Sequence, residues 1–269
     1  MASRDYEAEL QTLITANRIL YHQNVVDAYG HVSFRHPDKP DIFIMSGDKA
    51  PALVSSPSDL IEYHVGDSSP VDPSAKKGYQ ERFIHSELYK RYPEINSVVH
   101  SHSQAVLPYT MNGVAMQPTF HIAGFLGTHV PNYDITRSYK TGDSQDMLVN
   151  TTSFGSDLAS TFSSTRSKDP THTVVVMANH GFTAVGTSIK QAVYRAVYTH
   201  VNAGIQSNAI MLRSAQEQIK PGSTGEIRYL NEVQTAGSLK MNEASLERPW
   251  GLWEHEAKAW SLVKKPDGV

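Results

Sequence analysis

Two histidines separated by a single residue, His100 and His102, could bind a metal ion. They close an apolar stretch that reads as a β-strand, where residues i and i+2 point to the same face. Both imidazoles could then reach one ion at about 2.0–2.1 Å, at the kind of strand end where α/β folds place ligands. The same pattern is also typical of surface or core histidines, so the interpretation depends on further ligands.

A third histidine follows another apolar run, which begins at Val174 and stops in Asn179-His180-Gly181. Gly181 predicts a tight turn or a positive φ, which would put His180 at a second strand end. The alternative is a simple exit from the strand in which a histidine is hydrogen-bonded locally.

A carboxylate completes the set. Glu81 and His85 lie four residues apart in a segment that reads as a helix, so they share one helix face. The intervening Phe83-Ile84 predicts a half-buried helix, whereas the alternative is a solvated surface pair. Three imidazoles and one carboxylate form the open type of metal site, with a position left for substrate. The chain has no cysteine, which excludes disulfides, catalytic thiols and cysteine-based metal sites.

Hydrophobic periodicity predicts the elements that must hold these residues. The predicted helices cover 5–23, Gln80–Tyr92 and Ser188 to about Arg213, with the start of a short helix near Ser58. The predicted strands are His31–Arg35, Ile42–Met45, Ile95–His102 and Thr171–Met177. Residues 66–78 read as a loop. The last helix begins with the capping pattern Ser188-x-x-Gln191, and its apolar stripe is predicted to run from Ile189 to Ile205.

The order of the elements is mixed, with adjacent strands and several covering helices and no clear linker or repeat, which indicates a single α/β domain over residues 1–269. From about residue 222 a polar C-terminal tail carries Trp250 and Trp253, and its pattern assigns no element. The net charge of -3 gives no sign of a nucleic-acid or membrane surface. The acidic N-terminus is not a signal peptide, and no stretch reaches the roughly 18 apolar residues of a membrane span. A cytoplasmic protein is expected.

The motifs Glu81-x-x-x-His85, His100-x-His102 and Asn179-His180-Gly181, in this order and spacing, resemble the class II aldolase/adducin superfamily. The stretch 27–35 is similar to that family's early Gly-Asn-x-Ser-x-Arg motif. The resemblance implies an α/β/α sandwich around a mostly antiparallel central sheet, assembled as a homotetramer. It also implies one divalent metal ion per chain, zinc first, with manganese, iron, cobalt and magnesium as alternatives. The implied metal ligands are His100, His102 and His180, and Glu81 is the implied catalytic acid/base, which can also ligate the metal.

Two departures from the family's sugar-phosphate aldolases argue against a phosphorylated substrate. Those enzymes bind phosphate with an Asn after the first glycine and with Ser-Ser before the glutamate, where this chain has His31 and Tyr79-Gln80. The aldolase tyrosine is also absent, because His121 is followed by Ile122. Instead, three segments resemble the dihydroxyphthalate-type aromatic decarboxylases: 31–37, the Met45-Ser46 segment followed by 50–54, and Arg248-Pro249-Trp250.

This second resemblance predicts a metal-dependent carbon–carbon lyase that decarboxylates a hydroxylated aromatic acid through a metal-stabilised enolate or carbanion. The residues predicted to contact this small-molecule substrate are His31, Arg35, Ser46 and His121. A structural salt bridge is the alternative for Arg35, and packing is the alternative for His121. The alternative functions are an aldolase for a non-phosphorylated hydroxy-carbonyl compound and an Fe(II)-dependent oxygenase of an aromatic compound. A non-catalytic scaffold like adducin would be expected to have lost the ligands that this chain keeps.

Overall fold

A computed structural model describes residues 4–163 and 167–260 of the chain. Its strands, in chain order, are β1 (His31–Arg35), β2 (Ile42–Ser46), β3 (Leu60–His64), β4 (Ser97–Ser101), β5 (Asn132–Tyr133), β6 (Val174–Met177) and β7 (Gly181–Gly186). They form one sheet in the order β3-β2-β1-β4-β7-β6-β5. Neighbouring strands run antiparallel except β5 and β6, so the predicted mostly antiparallel sheet is confirmed.

Helices cover both faces of this sheet. They are α1 (Arg4–His22), α2 (Arg82–Arg91), α3 (Pro108–Met111), α4 (Thr152–Thr161), α5 (Ile189–Ile219), α6 (Glu232–Glu243) and α7 (Glu247–Ala259). Because side chains alternate along a strand, Val99 of β4 packs into the core beneath α1 and α5, and Val98 packs into the core beneath α2 and α4. The result is the predicted α/β/α sandwich.

Three elements near the site were not predicted from the sequence: β3, β7 and α4. In β7 all six residues are buried, so the strand lacks the apolar–polar alternation that marks a half-exposed strand. In β3 the alternation is present, but the segment is only five residues long and follows directly on a short 3-10 helix at Pro57–Asp59.

Two details of the helical pattern were wrong. Ile205 was placed on the buried stripe of α5, yet it is 37% exposed, because the buried face at this point of the helix is formed by Asn202, Ala203 and Gln206, and Ile205 points away from it. The helix also continues past Arg213 to Ile219. The tail, which gave no pattern, forms α6 and α7, and Trp250 and Trp253 are buried in the core that α1 and α5 share. No helix among the described residues is long and apolar enough to cross a membrane.

Candidate metal centre and active site

Three separate parts of the fold bring four potential ligands to one point. Glu81 lies at the N-terminal end of α2, His100 lies near the end of β4 with His102 just beyond it, and His180 lies in the turn between β6 and β7. One ligand atom from each residue lies within 4.8 Å of all the others. The structure therefore brings together all four residues that the sequence motifs singled out.

The spacing of these atoms fits a single small cation. The Nε2 atom of His102 lies 3.0 Å from the Nε2 atoms of both His100 and His180. The carboxylate of Glu81 lies 3.5 Å from His100 Nε2 and 3.4 Å from His180 Nε2. Two ligands bound at 2.0–2.1 Å to a tetrahedral ion are about 3.3 Å apart, close to these values. His102 Nε2 carries at most one hydrogen and cannot donate to both neighbours, whereas a shared cation would satisfy all three nitrogens.

The electrostatics favour neutral imidazoles, which are the form that binds metals. Burial, together with the nearby His102 and His180, holds the pKa of His100 well below its ordinary value. Burial and His180 also lower the pKa of His102. Thr183 donates its hydroxyl to Met177 Sδ and can accept from His100 Nδ1 at 3.4 Å, which leaves His100 Nε2 without a hydrogen and directed at the centre.

The turn that carries His180 needs a glycine. Asn179 has φ 54° and Gly181 has φ 154°, both in a region that side chains with a Cβ rarely adopt. A Cβ on Gly181 would lie 2.0 Å from the carbonyl oxygen of Ser101 on β4. The absence of a side chain here lets β7 pair with β4 up to the ends of both strands. The φ of Gly181 confirms the turn with positive φ that the sequence predicted.

Glu81 is held from a different direction. Its side chain is 9% exposed, and one carboxylate oxygen accepts a hydrogen bond from the backbone N–H of Val149 at 3.1 Å. Val149 belongs to the segment that leads into α4, and α4 packs directly on α2. The outer helical layer thereby orients the carboxylate toward the histidines.

A cavity of about 230 Å³ opens beside this centre. Its wall includes Tyr29, His31, Lys49, Tyr79, Glu81, His102 and Leu148. The Tyr79 hydroxyl donates to the carbonyl of Lys49 at 2.5 Å, and burial raises the pKa of Tyr79 to about 12, so its ring is a neutral part of the wall. The volume is below the 300–1,000 Å³ typical of drug-sized ligands, which suits a small substrate.

Of the four residues predicted to contact substrate, the structure puts His31 in this wall and not the other three. The guanidinium of Arg35 lies at the far end of β1 and donates to the carbonyls of Ile95, Pro40 and Tyr89 at 3.1, 2.7 and 2.7 Å. Arg35 therefore has a structural role. It fills this role through hydrogen bonds to backbone carbonyls, and not through the salt bridge that was the alternative to substrate binding. Ser46 is fully buried at the end of β2, outside the described cavity wall.

His121 is also outside the wall. Its side chain is exposed, and its backbone carbonyl accepts hydrogen bonds from Ser238 and Asn242. This contact ties the segment to α6, away from the four ligands. The sequence could not indicate this, because the partner residues lie in the tail that had no assignable pattern.

Sequence reasoning missed several residues of the wall, among them Lys49, Tyr79 and Leu148. Tyr79 could have been found, because it lies two residues before Glu81 in the position where the aldolases bind phosphate. Lys49 and Leu148 had no such signal, since both lie in irregular segments between helices and strands.

A known protein family and several known proteins resemble this chain over most of its length. Residues 11–207 match the family described as the class II aldolase and adducin N-terminal domain. The chain is 46% identical over 254 residues to decarboxylase tropJ of Talaromyces stipitatus, and this match covers 94% of this chain and 95% of that protein. It is 23% identical over 202 residues to a 3,4-dihydroxyphthalate decarboxylase of Rhodococcus jostii, covering 73% of this chain and 78% of that one.

A similar fold is found in a solved structure, L-fuculose 1-phosphate aldolase from Glaciozyma antarctica. The TM-score is 0.69 at 18% sequence identity, and the match covers 98% of this chain and 95% of the other. At this identity the likeness concerns the fold alone.

Proposed function

This chain belongs to the class II aldolase and adducin family, and from that premise we propose that it is a metal-dependent lyase that decarboxylates a hydroxylated aromatic acid. The observation that carries the proposal is the convergence of three imidazoles and Glu81 on one point in the wall of a small cavity. The likeness to two proteins named as decarboxylases supports the reaction type.

His100, His102 and His180 are the residues that would hold a divalent ion, with Glu81 as a fourth ligand or as the adjacent acid/base. Three imidazoles and a carboxylate suit zinc, and also iron, manganese or cobalt, better than magnesium, which prefers oxygen ligands. When bound, such an ion supplies electrostatic stabilisation of the negative charge that develops on a substrate oxygen as the reaction proceeds.

The proton that replaces the carboxylate on the ring can be delivered by a residue of the protein. In the decarboxylation of an ortho-hydroxy acid, Glu81 can take the proton of the hydroxyl, whose oxygen then supplies electron density to the ring carbon that bears the carboxylate. That carbon accepts a proton, the bond between ring and carboxylate breaks, CO2 leaves, and the electron pair of the broken bond restores the aromatic ring. Glu81 is oriented by the Val149 amide, and its other carboxylate oxygen lies 3.9 Å from His102 Nε2 and 4.0 Å from His31 Nε2, two residues of the cavity wall, so it can deliver that proton.

The wall of the cavity supports this class of substrate. Tyr29 and Tyr79 supply aromatic surface that suits a flat ring. At the positions where the family's aldolases hold phosphate, His31 and the pair Tyr79-Gln80 line the wall. These side chains favour a carboxylate or phenolate over a sugar phosphate.

The test is a combined metal and substrate assay. Untagged protein is analysed for bound metals, then reconstituted and incubated with a panel of mono- and dihydroxylated benzoic and phthalic acids while CO2 release is measured. Stoichiometric release, abolished by chelation, would support the proposal. Oxygen uptake with the same panel would favour the iron oxygenase, and release of an aldehyde from hydroxy-carbonyl compounds would favour the aldolase.

A homotetramer is part of the same proposal, since it rests on the family resemblance. The second half of α5 leaves large apolar side chains exposed, among them Met211, Leu212 and Ile219. Burial of such side chains between subunits would be favourable.

A further inference from the structure

Four buried polar side chains form a hydrogen-bonded chain that leads from the interior to the cavity. The reaction proposed above assigns no role to this chain of hydrogen bonds. His31 Nδ1 lies 2.7 Å from His85 Nε2, and His85 Nδ1 lies 2.6 Å from Ser33 Oγ. Ser33 Oγ in turn lies 2.6 Å from the Tyr89 hydroxyl. None of the four residues is more than 2% exposed, so solvent supplies few hydrogen-bond partners to these groups.

The periodicities of a strand and a helix build this chain. His31 and Ser33 are i and i+2 on β1 and point to one face of the sheet. His85 and Tyr89 are i and i+4 on α2, which covers that face. Residues two positions apart on β1 therefore meet residues four positions apart on α2. In addition, β1 pairs with β4 so that His31 lies opposite the candidate ligand His100.

The hydrogens of the chain can run in one direction only. Among the described residues, the Tyr89 hydroxyl has the backbone N–H of Val98, which can only donate, and Ser33 Oγ as partners, so it donates its own hydrogen to Ser33, because an unpaired buried donor is costly. Ser33 then donates to His85 Nδ1. Burial lowers the pKa of His85 to about 3, so its ring is neutral and carries its one hydrogen on Nε2. That hydrogen is donated to His31 Nδ1.

We propose that Ser33 and His85, anchored by Tyr89, are positioning residues that hold His31 in the tautomer with its hydrogen on Nε2, so that His31 donates to an anionic oxygen of the bound acid. The ligand part of this inference rests on the proposed function. His31 Nε2 lies 4.0 Å from Glu81 Oε2, which is longer than a hydrogen bond, and His31 lines the cavity. His31 is then a neutral donor and not a base, which leaves proton transfer to Glu81.

The tautomer can be read directly. Zinc-loaded protein labelled with 15N only in its histidines is studied by solid-state NMR, and His31 and His85 are assigned by the signals lost in His31→Gln and His85→Gln. We expect both rings to carry hydrogen on Nε2 with a bare Nδ1. A hydrogen on Nδ1 of His31 in the unmutated protein would overturn the proposal.

The role of Ser33 is tested with Ser33→Ala, which removes the donor to His85 Nδ1. The matched control is Ser86→Ala, which deletes an equally buried hydroxyl beside His85 that is bonded to Ser68 and lies outside the chain. Ser33→Ala should show His31 in a mixture of tautomers, and Ser86→Ala should not. An unchanged His31 in Ser33→Ala would remove Ser33 as a positioning residue.

Binding of 2-hydroxybenzoate, measured by calorimetry, connects the tautomer to the ligand. If only the Nε2–H form binds well, the affinity of Ser33→Ala should fall about two- to tenfold, by the same factor as the population of that tautomer. Unchanged affinity with a depopulated tautomer would refute the donor role. If the unmutated protein does not bind this acid at all, the failure counts against the proposed function, and the NMR result still decides the tautomer.

Discussion

The Nε2 atoms of His102 and His180 lie 3.0 Å apart, although the residues are separated by 78 positions and belong to different strand ends. The antiparallel pairing of β4 with β7 produces this contact, since it aligns the end of one strand with the turn that begins the other. The geometry of the candidate metal centre therefore depends on that pairing as much as on the ligands.

Replacing His102 with alanine should reduce the metal content to well below one ion per chain. His102 is in contact with two of the other ligands, and its side chain is 32% exposed, so its loss should disturb the core little. Metal is measured by plasma mass spectrometry after dialysis. His121→Ala, at an exposed histidine outside the site, serves as the control, and full metal content in His102→Ala would contradict the assignment.

Glu81→Gln should preserve the fold and most of the metal and lower turnover by roughly 10²–10⁴-fold, the usual effect of losing a general acid/base. A glutamine oxygen can still accept from the Val149 amide, so the side chain should stay in place. Metal content and CO2 release are measured on the same sample. Glu87→Gln is a matched control, because Glu87 is buried on the same helix and paired with Lys90. Fully metallated Glu81→Gln with normal turnover would remove Glu81 from the mechanism.

Gly181→Ala should destabilise the protein by more than about 3 kcal/mol and reduce metal binding, since the new Cβ would overlap the Ser101 carbonyl in a strained backbone region. Thermal or urea unfolding checks the stability. Gly204→Ala, within α5 and with open space around it, should instead be neutral or stabilise by about 0.5–1 kcal/mol. Equal stability of the two variants would show that β4 and β7 are not as close as described.

Asp59 should make folding stability depend on acidic pH. Burial alone would raise its pKa, but hydrogen bonds from Lys49, Ser55 and Ser56 outweigh burial and lower the pKa from 3.8 to about 2. A depressed carboxyl pKa contributes stability above pH 3.8 that is lost as the pH falls toward 2.

Urea unfolding of metal-free protein should therefore show Asp59→Asn less stable than the unmutated chain at pH 6, with the difference shrinking between pH 4 and pH 2. Asp41→Asn changes an exposed carboxylate and is the control. A difference that stays constant with pH would show that the Asp59 charge is not the source of the stabilisation.

Light scattering at micromolar concentration should give a mass about four times the 29.8 kDa of one chain. The expectation follows from the family resemblance and from the exposed apolar side chains of α5. A single species at the mass of one chain would contradict it.

Local patterns in the sequence were sufficient for the four ligand candidates and for most of the strands that hold them. The spacing of His100 and His102 determines that they share a strand face, and the Asn179-His180-Gly181 turn has its own backbone chemistry. The shared strand face and the turn depend only on residues that are neighbours in the sequence, so both could be predicted without a tertiary structure.

Tertiary structure decided which other polar residues reach the site. His31 and Arg35 lie on the same strand face and were equal candidates, yet only His31 is in the cavity wall, because the pairing of β1 with β4 puts it opposite His100. Arg35 lies two side chains further along that face, where the C-terminal end of α2 and its backbone carbonyls receive its guanidinium. Strand register and helix placement arise from contacts between residues more than fifty positions apart, and these cannot be read from local spacing.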